Sequence, residues 1–141
     1  MQYAVDGDTI ILKLDSGDNV FDSLSIICDR CSIDSGSIRW GIGMVRDFEI
    51  GYLNALTYEK ERFSERAEVV SFHGSIASGE PTFHIHASVA RRHHDVIGGH
   101  LFSAIADPMM EIEITRFQRI SLARIKNELS GLNELNVSQK Q

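Results

Sequence analysis

Three histidines in the 141-residue chain have the types and spacing to hold a metal ion. His84 and His86 are two apart in Pro81-Thr82-Phe83-His84-Ile85-His86-Ala87, where Phe83, Ile85 and Ala87 alternate with Thr82, His84 and His86. That is the period of a strand with one apolar face. Both imidazoles therefore leave the strand on the same side, from Cα atoms roughly 6.5–7 Å apart, a span from which two rings can lean onto one ion at about 2.0–2.1 Å. The third, His100, follows a glycine pair in Gly98-Gly99-His100-Leu101. Two glycines allow a tight turn or a close backbone approach that a side chain would block. Three neutral imidazoles suit zinc with a fourth position open, an arrangement that can be structural or can activate a bound water. The alternative is a structural role, with His84 and His86 hydrogen-bonded across a sheet or a subunit seam.

Other candidates are weaker. His73 follows a strand-like run and is read as a half-buried strand residue, with a place beside the metal or as a fourth ligand as the sharper alternative. His93 and His94, next to Arg91 and Arg92, fall in a polar segment and read as solvated. Glu68 is a general base only if it reaches a metal-bound water. Cys28 and Cys31 form a literal Cys-x-x-Cys, but no second pair exists to complete a four-thiolate site. Val20, Phe21, Leu24, Ile27, Cys28 and Cys31 instead make the buried stripe of an amphipathic helix, in which free cysteine acts as a small hydrophobe. No Gly-x-Ser-x-Gly elbow, phosphate-cradling loop or dinucleotide fingerprint occurs.

The elements that must position these residues follow in order. Thr9–Leu14 alternates as a strand, and Asp15-Ser16-Gly17-Asp18 is a turn with Asp18 as the expected N-cap of the helix that ends near Cys31. Ile38–Met44 is extended but carries Gly41 and Gly43, which predict a bulge or a close approach, and Phe48–Leu53 resumes alternation. The charged run Glu59–Arg66 reads as a solvated loop or exposed helical turn. Glu68–Ile76 pairs as a hairpin with the His84–His86 strand through a Gly/Pro loop, and Met110, Ile112 and Ile114 mark a last long strand. Leu122, Ile125, Leu129, Leu132 and Leu135 predict a short helix closed by Gly131. One domain over residues 1–136 is expected, with a disordered tail over 137–141. The fold class is α+β: a mainly antiparallel sheet with one principal helix.

Composition sets bounds. A net charge of −6 argues against a broad DNA-binding surface, because phosphate contacts need clustered Lys and Arg; nucleic acid is a candidate partner that the charge does not support. The N-terminal residues lack a basic n-region and an apolar h-region, and no apolar run approaches a bilayer span, so a cytoplasmic location is expected and a membrane partner is not.

The order of the first strand, the helix with Phe21-Asp22-Ser23-Leu24, Gly41-Ile42-Gly43, Ile50-Gly51-Tyr52-Leu53, Glu68–Ile76, His84-Ile85-His86-Ala87 and Gly98-Gly99-His100-Leu101 resembles the PPC domain, the plant and prokaryote conserved domain. The similarity runs from about Thr9 to Phe117. The resemblance implies a compact α+β domain that assembles as a homotrimer. In plants this domain accompanies AT-hooks in nuclear DNA-binding proteins, whereas prokaryotic members are mostly the domain alone, without a defined biochemical role. No Arg-Gly-Arg-Pro hook is present here, so the DNA-binding role does not transfer directly. His84, His86 and His100 resemble the metal-site histidines of prokaryotic members. Three functions follow as expectations: a trimeric divalent-metal protein, with Zn²⁺ favoured; a DNA-associated or regulatory oligomerisation module; and a metal-dependent hydrolase or lyase acting on a small substrate.

Overall fold

The computed structural model describes residues 1–140. The elements run β1 (Gln2–Asp6), β2 (Thr9–Asp15), α1 (Val20–Cys31), β3 (Gly36–Asn54), β4 (Thr57–Phe63), β5 (Ala67–Ile76), β6 (Phe83–Ala90), β7 (Val96–Arg116), β8 (Ile120–Lys126) and β9 (Asn133–Gln139). Seven strands form one antiparallel sheet in the order β1-β2-β7-β6-β5-β3-β4, and β7 also pairs with β3. Strands β3, β5, β6 and β7 therefore close into a ring, with β1–β2 and β4 extending it on either side. The α+β reading holds in outline, although a single helix makes the molecule mostly sheet.

Ring closure depends on the two long strands. β3 pairs with β7 from Gly36↔Arg116 to Gly51↔His100, with register shifts at Ile38/Trp40, Gly43/Val45 and near Arg46–Ile50. Such irregularities bend a strand and raise its twist. Gly41 makes one of the approaches possible: a Cβ there would lie 2.7 Å from the Phe72 ring and 2.9 Å from Met110. The predicted bulge is present, and the two stretches read as separate strands, Ile38–Met44 and Phe48–Leu53, are one continuous bent strand.

The core is the alternating inner face of the sheet, including Ile10, Leu12, Leu14, Ile85, Ile112 and Ile114, sealed by Val20, Leu24, Ile27 and Cys28 of α1. The predicted helix is observed. Its N-cap is Asn19 rather than Asp18: the Asn19 side chain accepts from the backbone N–H of Phe21 and Asp22, while the Asp18 carboxylate accepts from the Asp15 N–H one turn earlier. Ser32 ends the helix in the left-handed conformation. Among the described residues, no helix is long and apolar enough to cross a membrane.

Three further expectations fail. Of the run Glu59–Arg66, Glu59–Phe63 is neither loop nor helical turn, because Thr57–Phe63 forms edge strand β4; only Ser64–Arg66 is the exposed loop expected. Its charges are those of a protected sheet edge: Glu59–Arg62 are exposed, and Tyr58 and Phe63 fall on opposite faces, so no apolar face forms. The leucine-rich segment 121–135 is not a helix but most of the β8–β9 hairpin. Leu129 is 99% exposed and Ile125 and Leu135 are also exposed, so the five residues do not share one buried face. Gly131 sits in the hairpin turn at φ 71° rather than at a helix end. The expected tail is also ordered over 137–139, which belong to β9, and Lys140 pairs with Asp34. Gln141 lies outside the described residues.

Candidate metal centre

β6 lies between β5 and β7, and its pairing with β7 starts at His86↔His100. Two residues apart on β6, His84 and His86 share the face opposite Phe83, Ile85 and Ala87, which are buried. His100 enters the same face from the neighbouring strand. One ring nitrogen from each of the three lies within 4.8 Å of the others, and the His84 and His86 Nε2 atoms are 3.2 Å apart. Ligand nitrogens at about 2.0–2.1 Å from a tetrahedral ion sit about 3.3 Å from one another, so the donor set fits a small divalent cation with modest ring rotation.

The glycine pair supplies the close approach expected of it. A Cβ on Gly98 would lie 2.6 Å from the Ala87 carbonyl oxygen, and one on Gly99 would lie 2.7 Å from that of Gly51. β7 is thus drawn against β6 on one side and β3 on the other, immediately before His100.

His100 is 8% exposed, whereas His84 is half-buried and His86 exposed. Phe102 and Tyr58 pack on the His100 ring, with centroids 4.5 and 4.9 Å away. The Tyr58 hydroxyl lies 3.3 Å from His100 Nδ1, which leaves Nε2 for an ion. A partner on the distal nitrogen fixes the tautomer and ring orientation of a metal-binding histidine. Burial, followed by the fields of His84, His86, Lys60 and Arg124, pushes the His100 pKa down to about 4. Burial, then Arg124 and His86, also lowers that of His84. Both rings are therefore neutral at neutral pH, the form that binds metals.

A cleft of about 880 Å³ opens beside His84 and His100, walled by α1, the β3–β4 turn region at Leu53 and Tyr58, the start of β6, β7 from His100 to Phe102 and the β8–β9 hairpin. Arg124 of β8 lines it. Its Nη2–H donates to Ser75 Oγ at 2.7 Å and its Nε–H to the Pro81 carbonyl oxygen at 3.3 Å. Ser75 is the cross-strand partner of His84, so the guanidinium is anchored directly beside the triad.

Among the described residues, the other candidates fall outside the triad. His73 is a strand residue opposite His86, but it is exposed rather than half-buried. His93 and His94 are exposed in the β6–β7 turn, where Arg91 pairs with Asp95 and Glu65. Glu68 pairs with Ala90, four residues along β6 from His86 and away from the cleft. Cys28 and Cys31 are free, Cys28 buried and Cys31 partly so, and burial pushes the Cys28 thiol up to about 12. That favours a core role over thiolate chemistry.

Residues 1–118 match the Plants and Prokaryotes Conserved (PCC) domain. The chain belongs to this family, the PPC domain. Similar solved structures include a protein from Bacteroides thetaiotaomicron provisionally classed as DNA-binding, 27% identical over 96% of both chains with a TM-score of 0.87. A metal-containing protein from Archaeoglobus fulgidus is also 27% identical, over 94% of this chain and 95% of its own, with a TM-score of 0.82. A plant- and prokaryote-conserved protein from Pyrococcus horikoshii shares the fold at 23% identity and a TM-score of 0.83, over 96% of this chain and 94% of its own. No curated protein matches the chain. In this PPC domain, Tyr58 and Arg124 carry no signal in the sequence: Tyr58 lies on a mostly charged edge strand, and Arg124 lies where the leucine spacing mimics a helix.

Proposed function

We propose that this PPC-domain protein binds one divalent cation, Zn²⁺ in preference, through His84, His86 and His100, and that it does so as a cytoplasmic homotrimer. The observation that carries the metal reading is the convergence of three imidazole nitrogens within 4.8 Å, with Tyr58 holding the distal nitrogen of the most buried ring. The metal-containing relative from Archaeoglobus supports it. Imidazole donors favour zinc but do not by themselves exclude nickel, copper or iron. With three protein ligands, such an ion keeps a position for water or a ligand and can act as a Lewis acid there. The adjoining cleft gives a metal-dependent hydrolase or lyase on a small substrate a physical basis. A DNA-associated role is favoured by the Bacteroides relative and opposed by the net charge of −6.

Metal content per chain, measured by plasma mass spectrometry on tag-free protein, tests the reading. Wild type is expected to hold close to one ion, and a folded His84→Ala/His86→Ala/His100→Ala variant none. No ion in wild type after incubation with zinc would make the histidines structural and turn attention to nucleic acid.

A further inference from the structure

The guanidinium of Arg124 has an unusual setting for a half-buried cation. Three carboxylates, Asp22, Glu80 and Glu134, line the same cleft. Among the described residues Arg124 pairs with none of them: its partners are the Ser75 hydroxyl and the Pro81 carbonyl, and Nη1 has no protein acceptor. Glu134 is occupied by Asn127 and Ser130. The Ser75 bond holds the guanidinium beside His84, at the end of the cleft where the histidines converge. An arginine with an unpaired Nη1, on a cleft that His84 and His100 also line, matches the planar fork of a carboxylate, which can bridge it to an ion on the histidines.

The remaining walls define what is attached to that carboxylate. Phe21, Phe83, Leu101, Phe102 and Leu132 provide apolar surface, which suits a hydrocarbon or aromatic body. The three acidic side chains disfavour a second negative charge on the ligand and so oppose phosphate esters and nucleic acid at this position.

We infer that Arg124 and the ion held by His84, His86 and His100 form the two poles of a binding site for small organic monocarboxylates with an apolar body. The inference rests on the metal reading above. It also gives the β8–β9 hairpin, which lies beyond the family match at residues 1–118, a role in ligand choice.

The full-length protein loaded with Co²⁺ provides the test, because the visible spectrum of cobalt reports its ligands. Benzoate, acetate and inorganic phosphate are titrated separately, with metal content measured for every sample. Benzoate is expected to change the spectrum saturably and to bind at least tenfold tighter than acetate or phosphate. R124Q is expected to retain cobalt and weaken benzoate by tenfold or more, the loss typical of a charge-assisted bidentate contact. Should R124Q fail to fold, R124K decides: a lysine keeps the charge but not the fork, and at least a threefold loss is expected. Cobalt-loaded protein that ignores benzoate, prefers phosphate, or binds benzoate equally well without Arg124 overturns the inference and leaves the metal reading intact. Failure to take up cobalt overturns both.

Discussion

His100 combines deep burial with an ordinary solution pKa near 6.5, and the two conflict. The unfolded chain protonates this ring at mildly acidic pH, while the folded chain resists until about 4. Between those values the unfolded state binds more protons, so stability rises with pH and falls on acidification. The lowered pKa of His84 acts in the same direction. Metal-free protein, prepared with chelator, is therefore expected to lose about 1 kcal/mol of stability from pH 7 to pH 5 once solvent screening is allowed for. Urea unfolding at the two pH values checks this. The window lies above the carboxylate range, and a His100→Gln variant should show a smaller pH slope; an unchanged slope would mean that His100 is not the titrating group. The three histidines were legible because strand alternation puts i and i+2 on one face and a glycine pair announces a close approach. Tyr58 and Arg124 were not, since a lone tyrosine in Thr57–Phe63 and a lone arginine in Ile120–Lys126 have no spacing signal.

At the scale of the elements, the site depends on how tightly β7 can be drawn between β6 and β3. The approach is made by backbone atoms, which cannot rotate away as a side-chain tip can. Gly99→Ala would put a methyl group 2.7 Å from the Gly51 carbonyl oxygen, on the strand that also carries His100. The variant is expected to lose about 1–3 kcal/mol of stability, as overpacking does. It should also weaken zinc binding by moving His100 relative to β6. Chemical denaturation and a competitive zinc titration measure the two effects; wild-type values in both would show that the strands have slack. The same scale explains what periodicity missed. Elements that bury one face, such as α1 and β6, advertise it in sequence. β4 is a charged sheet edge and β9 is exposed along its length, so neither had an apolar face to read. The spacing of Leu122, Ile125, Leu129, Leu132 and Leu135 mimicked a helix, yet of these only Leu122 is fully buried.

The whole molecule presents an outer sheet face that a single chain leaves exposed. Ile11 on β2, Glu113 on β7 and Trp40 on β3 form one cross-strand row, and Lys13, Glu111 and Ile42 form the next. Ile11 is 41% exposed, Trp40 36% and Ile42 50%, although they lie mid-sheet and away from its frayed ends. The Trp40 indole N–H donates to Glu113 at 2.7 Å, which ties the ring to this face. Apolar residues interleaved with fixed charges suit a specific subunit contact better than a solvated surface. The proposed homotrimer makes this face its seam. Sedimentation at micromolar concentration should then give about three times the 15.8 kDa of one chain. Ile42→Lys places a cation opposite Glu111, where it can pair within a single chain, so the variant should fold and yet sediment as a monomer. Circular dichroism separates loss of assembly from loss of fold. A wild type that sediments as a monomer would defeat the trimer, and a trimeric Ile42→Lys would move the seam to another face.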